Sequence, residues 1–206
     1  MDAVDQEIQE SQFRTVDSAL RFAFNFRHGT IKPSAIATLM GGGGKRGKGR
    51  GGLDGAALAG FIKREVLGLA IPDTLDELDP NWEPRPVWPR IITARYAVRA
   101  VPCICKLPCC SGWRSNNDWL IAVADIAELA ISGALSGCRV NFNLRHAIVR
   151  RYFGERRSLV EAAKLAEVDR HTASAHANRV ITYLKDEERK ARYAIEARLK
   201  VAGIVE

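Results

Sequence analysis

No apolar run in this chain of 206 residues approaches the roughly 20 residues needed to cross a bilayer. No membrane partner is therefore expected. The opening residues, Met1-Asp-Ala-Val-Asp-Gln-Glu7, are acidic and polar. They lack the cationic and apolar segments of a secretory signal. The expectation is a cytoplasmic protein, whose five cysteines are reduced or metal-bound and not paired in disulfides. A nucleotide-binding P-loop is lacking too. Gly41 to Gly44 precede Lys45, but Arg46 stands where that motif needs Ser or Thr to hold the metal. No strand-forming run leads into it. Asp73, Asp76, Glu77, Asp79 and Glu83 could pair for metal or acid–base work. They lie in a Pro-rich setting without a nearby His, which favours a solvated face or a contact for a basic partner. No His-rich or carboxylate constellation supports catalysis, so an enzyme is not expected.

What is present is positive charge and helical periodicity. The formal net charge is +7, which favours nucleic acid or another acidic surface as partner. Hydrophobic residues make up 47% and charged residues 27%, the balance of a folded soluble chain. Its length suits one medium domain or two small ones. The fold class predicted is mainly α. Three regions are expected: a helical N-terminal region 1–79, a Pro/Trp connector with a Cys cluster at 80–115, and a helical DNA-binding region 116–206.

Thr15 to Phe26 has Val16, Leu20, Phe22, Ala23 and Phe26 at helical spacing. Residues 41–52 are Gly-rich and basic, with no apolar side chain to offset the entropy of ordering. They predict a mobile loop. Its Lys45, Arg46, Lys48 and Arg50 resemble an arginine-glycine segment that contacts RNA or phosphate. A plain solubilising loop is the alternative. Leu53 to Leu69 predicts a helix with Ala57, Phe61, Ile62, Val66 and Leu69 inward. Pro80 to Pro89 is expected to be non-helical because of its prolines, with Trp82 and Trp88 as apolar anchors. Ile91 to Val98 fits a strand or a helix. Asn117 to Ala134 predicts a helix with Trp119, Leu120, Val123, Ile126, Ala127, Ala130, Ile131 and Leu135 as its apolar residues. Asp186 to Ala202 carries alternating charge. It fits a partner contact, a dimer seam or an exposed terminal helix.

Cys103, Cys105, Cys109 and Cys110 fall within eight residues. Four thiolates can hold zinc in a tetrahedron, and Pro108 and Gly112 would help the backbone turn. The spacing is not a pair of Cys-x-x-Cys knuckles. Three of these with Cys138 or His146 would serve as well as all four. Buried free thiols and redox chemistry are the alternatives.

Leu144 to Leu184 is read as helix, turn, helix, tight turn, helix. Ser158 and Glu161 have capping-box spacing, Val160 starts an apolar face, and Ala163 and Ala166 allow a close crossing. Val168 fills the turn and Asp169 caps the next helix. Ala173, Ala177, Val180, Ile181 and Leu184 form that helix's inner face. Arg170, His171, Thr172, Ser174, Ala175, Asn178 and Arg179 are left outside, a polar surface suited to base edges. Residues 158–184 resemble the helix-turn-helix family, in the trihelical form of sigma-factor region 4. The family usually has Gly at the turn, where this chain has Glu167, so either a left-handed backbone is tolerated there or the turn differs. From Asn141 onward 14 Lys and Arg face 9 Asp and Glu, a net of +5. Arg145, Arg150, Arg151, Arg156 and Arg157 crowd the approach to the motif, as phosphate neutralisation requires. Two amphipathic helices of an ordinary all-α core are the competing reading.

The whole assembly resembles phage late-gene antitermination proteins of the Q type. The resemblance rests on Leu159 to Ile181 and, more loosely, on the cysteines 103–110, since some members hold zinc. It implies a location in the host-cell cytoplasm, a DNA site near a late promoter, contacts with sigma and core RNA polymerase, and read-through of terminators, with nascent RNA as a further partner. Arg150, Arg151, Arg156, Arg157, Arg170, His171, Thr172, Ser174, Asn178 and Arg179 would then contact double-stranded DNA. A phage assembly protein such as a small terminase subunit, using the same motif on a ring, is the alternative.

Overall fold

The computed structural model describes residues 11–26, 53–70, 86–103, 105, 111–138 and 141–206. Among them are helices α1 (Val16–Asn25), α2 (Leu53–Gly68), α3 (Val87–Tyr96), α4 (Asn117–Ala134), α5 (Phe142–Tyr152), α6 (Leu159–Leu165) and α7 (Arg170–Val201). Strands β1 (Ala100–Pro102) and β2 (Trp113–Ser115) pair antiparallel. The protein is mainly helical, as expected. The segment 41–52 and the carboxylates from Asp73 to Glu83 lie outside the described residues, as does Trp82. None of the described helices is long and apolar enough to cross a membrane.

Packing divides the chain into two compact units, Met1–Glu65 with Tyr193–Glu206, and Val66–Arg192. In the first, Thr15 caps α1, its Oγ1 accepting from the Ser18 amide at 3.2 Å. Val16, Ala19, Leu20, Phe22 and Ala23 are buried. The Phe22 ring lies 5.3 Å from Phe13 and 5.1 Å from Phe26. Phe13 is bonded to the other end of the chain: its amide donates to the Ile204 carbonyl at 2.9 Å, and Glu206 donates to Phe13 at 3.2 Å. On α2 the buried residues include Ala59, Ile62 and Val66, one helical stripe, and Leu69 just past its end is buried as well. Ala57, expected inward, is exposed and Phe61 is half-buried, because two residues before Ala59 is the far side of the helix.

The second unit contains α3 to α6 and α7 as far as Arg192. Val87 and Ile91 of α3, Val123 and Ile126 of α4, Leu144 and Ile148 of α5, Ala162 and Ala163 of α6, and Ala173, Val180 and Leu184 of α7 share one apolar core. Burying each large aliphatic side chain contributes about 1.5–3 kcal/mol. The segment 80–89 is helical at its C-terminal end, against the expectation from its prolines. Pro86 is the N-cap of α3 and Pro89 lies in its first turn. The first amides of a helix have no intrahelical acceptor, so proline there removes no bond. Ile91 to Tyr96 is accordingly helix, not strand.

α7 is a single helix of 32 residues, about 48 Å long. Residues 186–201 continue it without a break, and Ala191, Ile195 and Leu199 are fully buried. They are core, not an exposed terminal helix. Two adjacent carboxylates anchor α7 within the second unit. Glu187 accepts from the Trp88 indole at 2.7 Å and from Lys190 at 2.9 Å. Glu188 accepts from Arg95 Nε at 2.7 Å, Arg95 Nη2 at 2.6 Å and the Tyr152 hydroxyl at 2.7 Å. Burial, then the hydrogen bond to Glu188, pushes the Tyr152 phenol well above its ordinary range.

Glu188→Ala leaves a guanidinium and a phenol without their acceptor. It should cost about 1.5–3 kcal/mol. Chemical denaturation measures this, and the loss should exceed that of Glu196→Ala, whose Lys200 partner is half-exposed.

Candidate functional site

The residues read as a DNA-contacting surface begin with α5, α6 and the first half of α7, whose inner sides are small. Ala162, Ala163 and Ala166 are buried beside Ala173 and Ala177. Without long side chains between them the helices can approach closely. Val160 does not belong to this face. It is 54% exposed, and Leu165 is 72% exposed. The buried spacing runs through Leu159, Ala162, Ala163 and Ala166, which turns Val160 and Leu165 away. Ser158 is the N-cap by backbone geometry, but its side chain makes no capping bond. Ser158 and Glu161 are both exposed, so water can serve those amides.

The turn from α6 to α7 is built by backbone hydrogen bonds. Glu167 donates to Lys164 at 3.2 Å and Val168 to Ala163 at 3.0 Å. Together they form a Schellman motif, with Glu167 at its left-handed position, φ 54°. The same pair of bonds closes α5 at Gly154, φ 93°, and α7 at Gly203, φ 67°. Only at Glu167 does a side chain occupy that position. Asn141 holds the turn from behind. Its Oδ1 accepts from Leu144 at the start of α5 (3.1 Å), and its Nδ2 donates to the Ala166 carbonyl (3.0 Å). Asp169 then caps α7, its Oδ1 accepting from the His171 amide at 2.7 Å and the Thr172 amide at 3.2 Å. These amides, Thr172 first, hold its carboxyl below the ordinary carboxylate range.

Beyond the cap, Arg170, His171, Thr172, Ser174, Ala175, Asn178 and Arg179 are exposed, while Ala173, Ala177 and Val180 are buried. Ile181 is half-buried and Leu184 buried. His176, which periodicity left unassigned, is also buried at 8% exposure. Among the described residues, Arg170, Thr172, Ser174 and Asn178 make no side-chain hydrogen bond to the protein. Arg179 does: its Nη1 lies 2.9 Å from Cys138 Sγ. Asn178, Arg179, Thr182 and Tyr183 line an open cleft of about 460 Å³ with Gly133 and Ala134. A Cβ at Gly133 would stand 2.5 Å from the far end of the Tyr183 ring, so the ring would have to shift to admit one.

The arginines before the motif fall into two groups. Arg151 and Arg156 are exposed and form no ion pair among the described residues. Arg150 and Arg157 each lie 3.8 Å from Glu155. Arg145, counted with them by sequence, is only 5% exposed. It pairs with Glu128 at 2.6 Å and lies against the Phe142 ring, so it is a structural cation. His146 Nε2 is 3.3 Å from the same Glu128 oxygen. Arg145, then His146, holds the Glu128 carboxyl below the ordinary range.

Of the four clustered thiols, Cys103 and Cys105 are described, with their Sγ atoms 3.2 Å apart. Two ligands on one zinc ion would be about 3.8 Å apart, from tetrahedral geometry and the usual Zn–S length. Cys109 and Cys110 lie outside the described residues, as do Lys45, Arg46, Lys48 and Arg50. Among the described residues no three His, Cys, Asp or Glu are grouped to hold a metal. Cys138 and His146, the alternative ligands, face Arg179 and Glu128.

Sequence reasoning missed Asn141, Glu128, Glu188 and the Gly133–Tyr183 contact. Asn141 was detectable, because an Asn just before a helical run is an N-cap signal. The others depend on partners far along the chain.

Replacing Glu167 by Gly removes the left-handed penalty and adds chain entropy to the unfolded state. The net effect should be a gain of roughly 0.5–1 kcal/mol, read by denaturant titration. Asp169→Ala should lower the thermal midpoint at pH 7, whereas Asp169→Asn retains the cap. Because the native Asp169 pKa is depressed, the stabilisation is full above the ordinary carboxylate range. It is lost as pH falls through the lower native value. The gap between wild type and Asp169→Ala should therefore close in acid.

Comparison with protein-family models, with curated proteins and with solved structures finds no match to this chain.

Proposed function

We propose that this chain is a sequence-specific DNA-binding transcription regulator. In this reading α5, α6 and α7 form a trihelical helix-turn-helix spanning 158–184 at its core, and the first half of α7 enters the major groove. The observation that carries it is the outer stripe of α7. Arg170, Thr172, Ser174 and Asn178 are exposed hydrogen-bonding side chains with no partner among the described residues, on a capped helix whose opposite side is core. Side chains of these types match base edges and phosphates: Arg with guanine, Asn with adenine, Ser and Thr with either. Arg151 and Arg156 supply unpaired positive charge for the backbone, and Arg150 and Arg157 supply charge shared with Glu155. His171 and Arg179 are exposed within the same arc.

The resemblance to Q-type antitermination proteins extends the proposal. The bound chain would join RNA polymerase through sigma and core subunits and carry it past terminators. Zinc held by cysteines 103–110 belongs to that extension.

Selection of bound duplexes from a random pool tests the reading. Asn178→Ala and Arg170→Ala should each weaken binding to the recovered sequence by about 1–3 kcal/mol, while binding to unrelated DNA persists. Affinity for the recovered sequence that is indifferent to both changes would overturn it.

A further inference from the structure

The β1–β2 hairpin plays no part in the reading above, yet it is fastened to the basic turn after α5. Arg95 lies 5.0 Å from the Tyr152 ring centre and 5.3 Å from that of Phe153. Four residues later, Arg99 Nη1 donates to the Gly154 carbonyl. The hairpin base is closed by Asn116, whose amide donates to Arg99 at 2.9 Å and whose Nδ2 donates to Val98 at 2.8 Å. Gly154 leads directly into Glu155, Arg156 and Arg157, the last two exposed. One hydrogen bond thus connects the hairpin base to the turn carrying the proposed phosphate contacts.

Register decides which hairpin residue shares that side. Val101 pairs with Arg114, and Pro102 with Trp113. Alternate strand residues share a face, so Arg114 lies with Val101 and, by parity, with Arg99. Arg99 reaches the Gly154 turn, so the exposed Arg114 is on the same face of the ribbon. Trp113, 61% exposed, is on the other. From Pro84 to Asn117 the sequence has no Asp or Glu. Arg114 therefore has no carboxylate of its own segment to neutralise it, and it forms no ion pair among the described residues. A guanidinium on the side where Arg99 is bonded to the turn carrying Arg156 and Arg157 complements a polyphosphate chain.

We infer that the hairpin is a second contact to duplex DNA, in which Arg114 binds a backbone phosphate beside those held by Arg156 and Arg157. This rests on the DNA-binding reading and adds to it a surface outside the three-helix segment. A phosphate contact contributes affinity and salt dependence but no choice of sequence.

The test uses the full chain with a labelled duplex recovered from selection and an unrelated duplex of equal length, titrated at several salt concentrations. Arg114→Ala should weaken binding to both duplexes severalfold and make the slope of log affinity against log salt shallower by about 0.9. Arg114→Lys should restore most of the slope, since a point charge suffices. The thermal midpoint should not move, because the side chain is exposed. If Arg114→Ala leaves affinity and slope unchanged while Asn178→Ala loses specific binding, the hairpin contact is wrong and the DNA reading stands. A loss confined to the selected duplex would also overturn it, since Arg114 would then be reading bases. A wild-type chain that binds neither duplex at low salt overturns both.

Discussion

The outer stripe of α7 depends on how the chain reverses between Ala166 and Asp169. Three short-range devices act in sequence there. A Schellman pair of hydrogen bonds ends α6, Glu167 takes the left-handed conformation at φ 54°, and Asp169 satisfies the first amides of α7. The left-handed residue costs roughly 1–2 kcal/mol. Val168 packing on the core and the Asn141 bond to Ala166 oppose that cost. Small residues complete the arrangement, because Ala163, Ala166 and Ala173 leave no bulk between α6 and α7. A longer side chain at any of them would separate the helices and rotate the stripe.

The positive charge of the chain is divided by function. Arg90, Arg95, Arg145 and Arg189 each face a carboxylate within 3 Å. They hold helices to one another or brace a helix surface. Arg114, Arg151, Arg156 and Arg170 have no such partner among the described residues. A net charge treats the two groups alike, and only the second can neutralise a phosphate without first breaking a bond. Arg145 illustrates the difference. It neighbours Leu144 on the buried side of α5, and Glu128 of α4 compensates its charge.

Local signals were legible in the sequence and distant ones were not. Asp169 acts as the cap its position indicated, because capping involves residues two or three positions apart. The buried positions of α4 and of the first half of α7 follow apolar spacing. At Glu167 the sequence left two outcomes, a left-handed residue or a different turn, and φ 54° selects the first. Pro86 and Pro89 misled because the same residue that breaks a helix interior is neutral at its start. The capping box at Ser158 did not form, although its spacing was right. Arg145 was misassigned because nothing nearby in sequence reveals Glu128, 17 positions away. Trp88 and Glu187 are 99 positions apart, and no local pattern encodes that pairing. The cysteines remain the least determined, since spacing constrains ligand sets without selecting one.

α7 also imposes two evolutionary regimes on one continuous rod. Its first three turns put Arg170, Ser174 and Asn178 in water, where substitutions leave the apolar core untouched. Its later turns put Ala191, Ile195 and Leu199 at zero exposure, where almost any change of volume is penalised. If the outer stripe contacts DNA as proposed, exchanging a handful of outward side chains would change what it offers a duplex while Ala173, Ala177 and Val180 beneath it stay in the core.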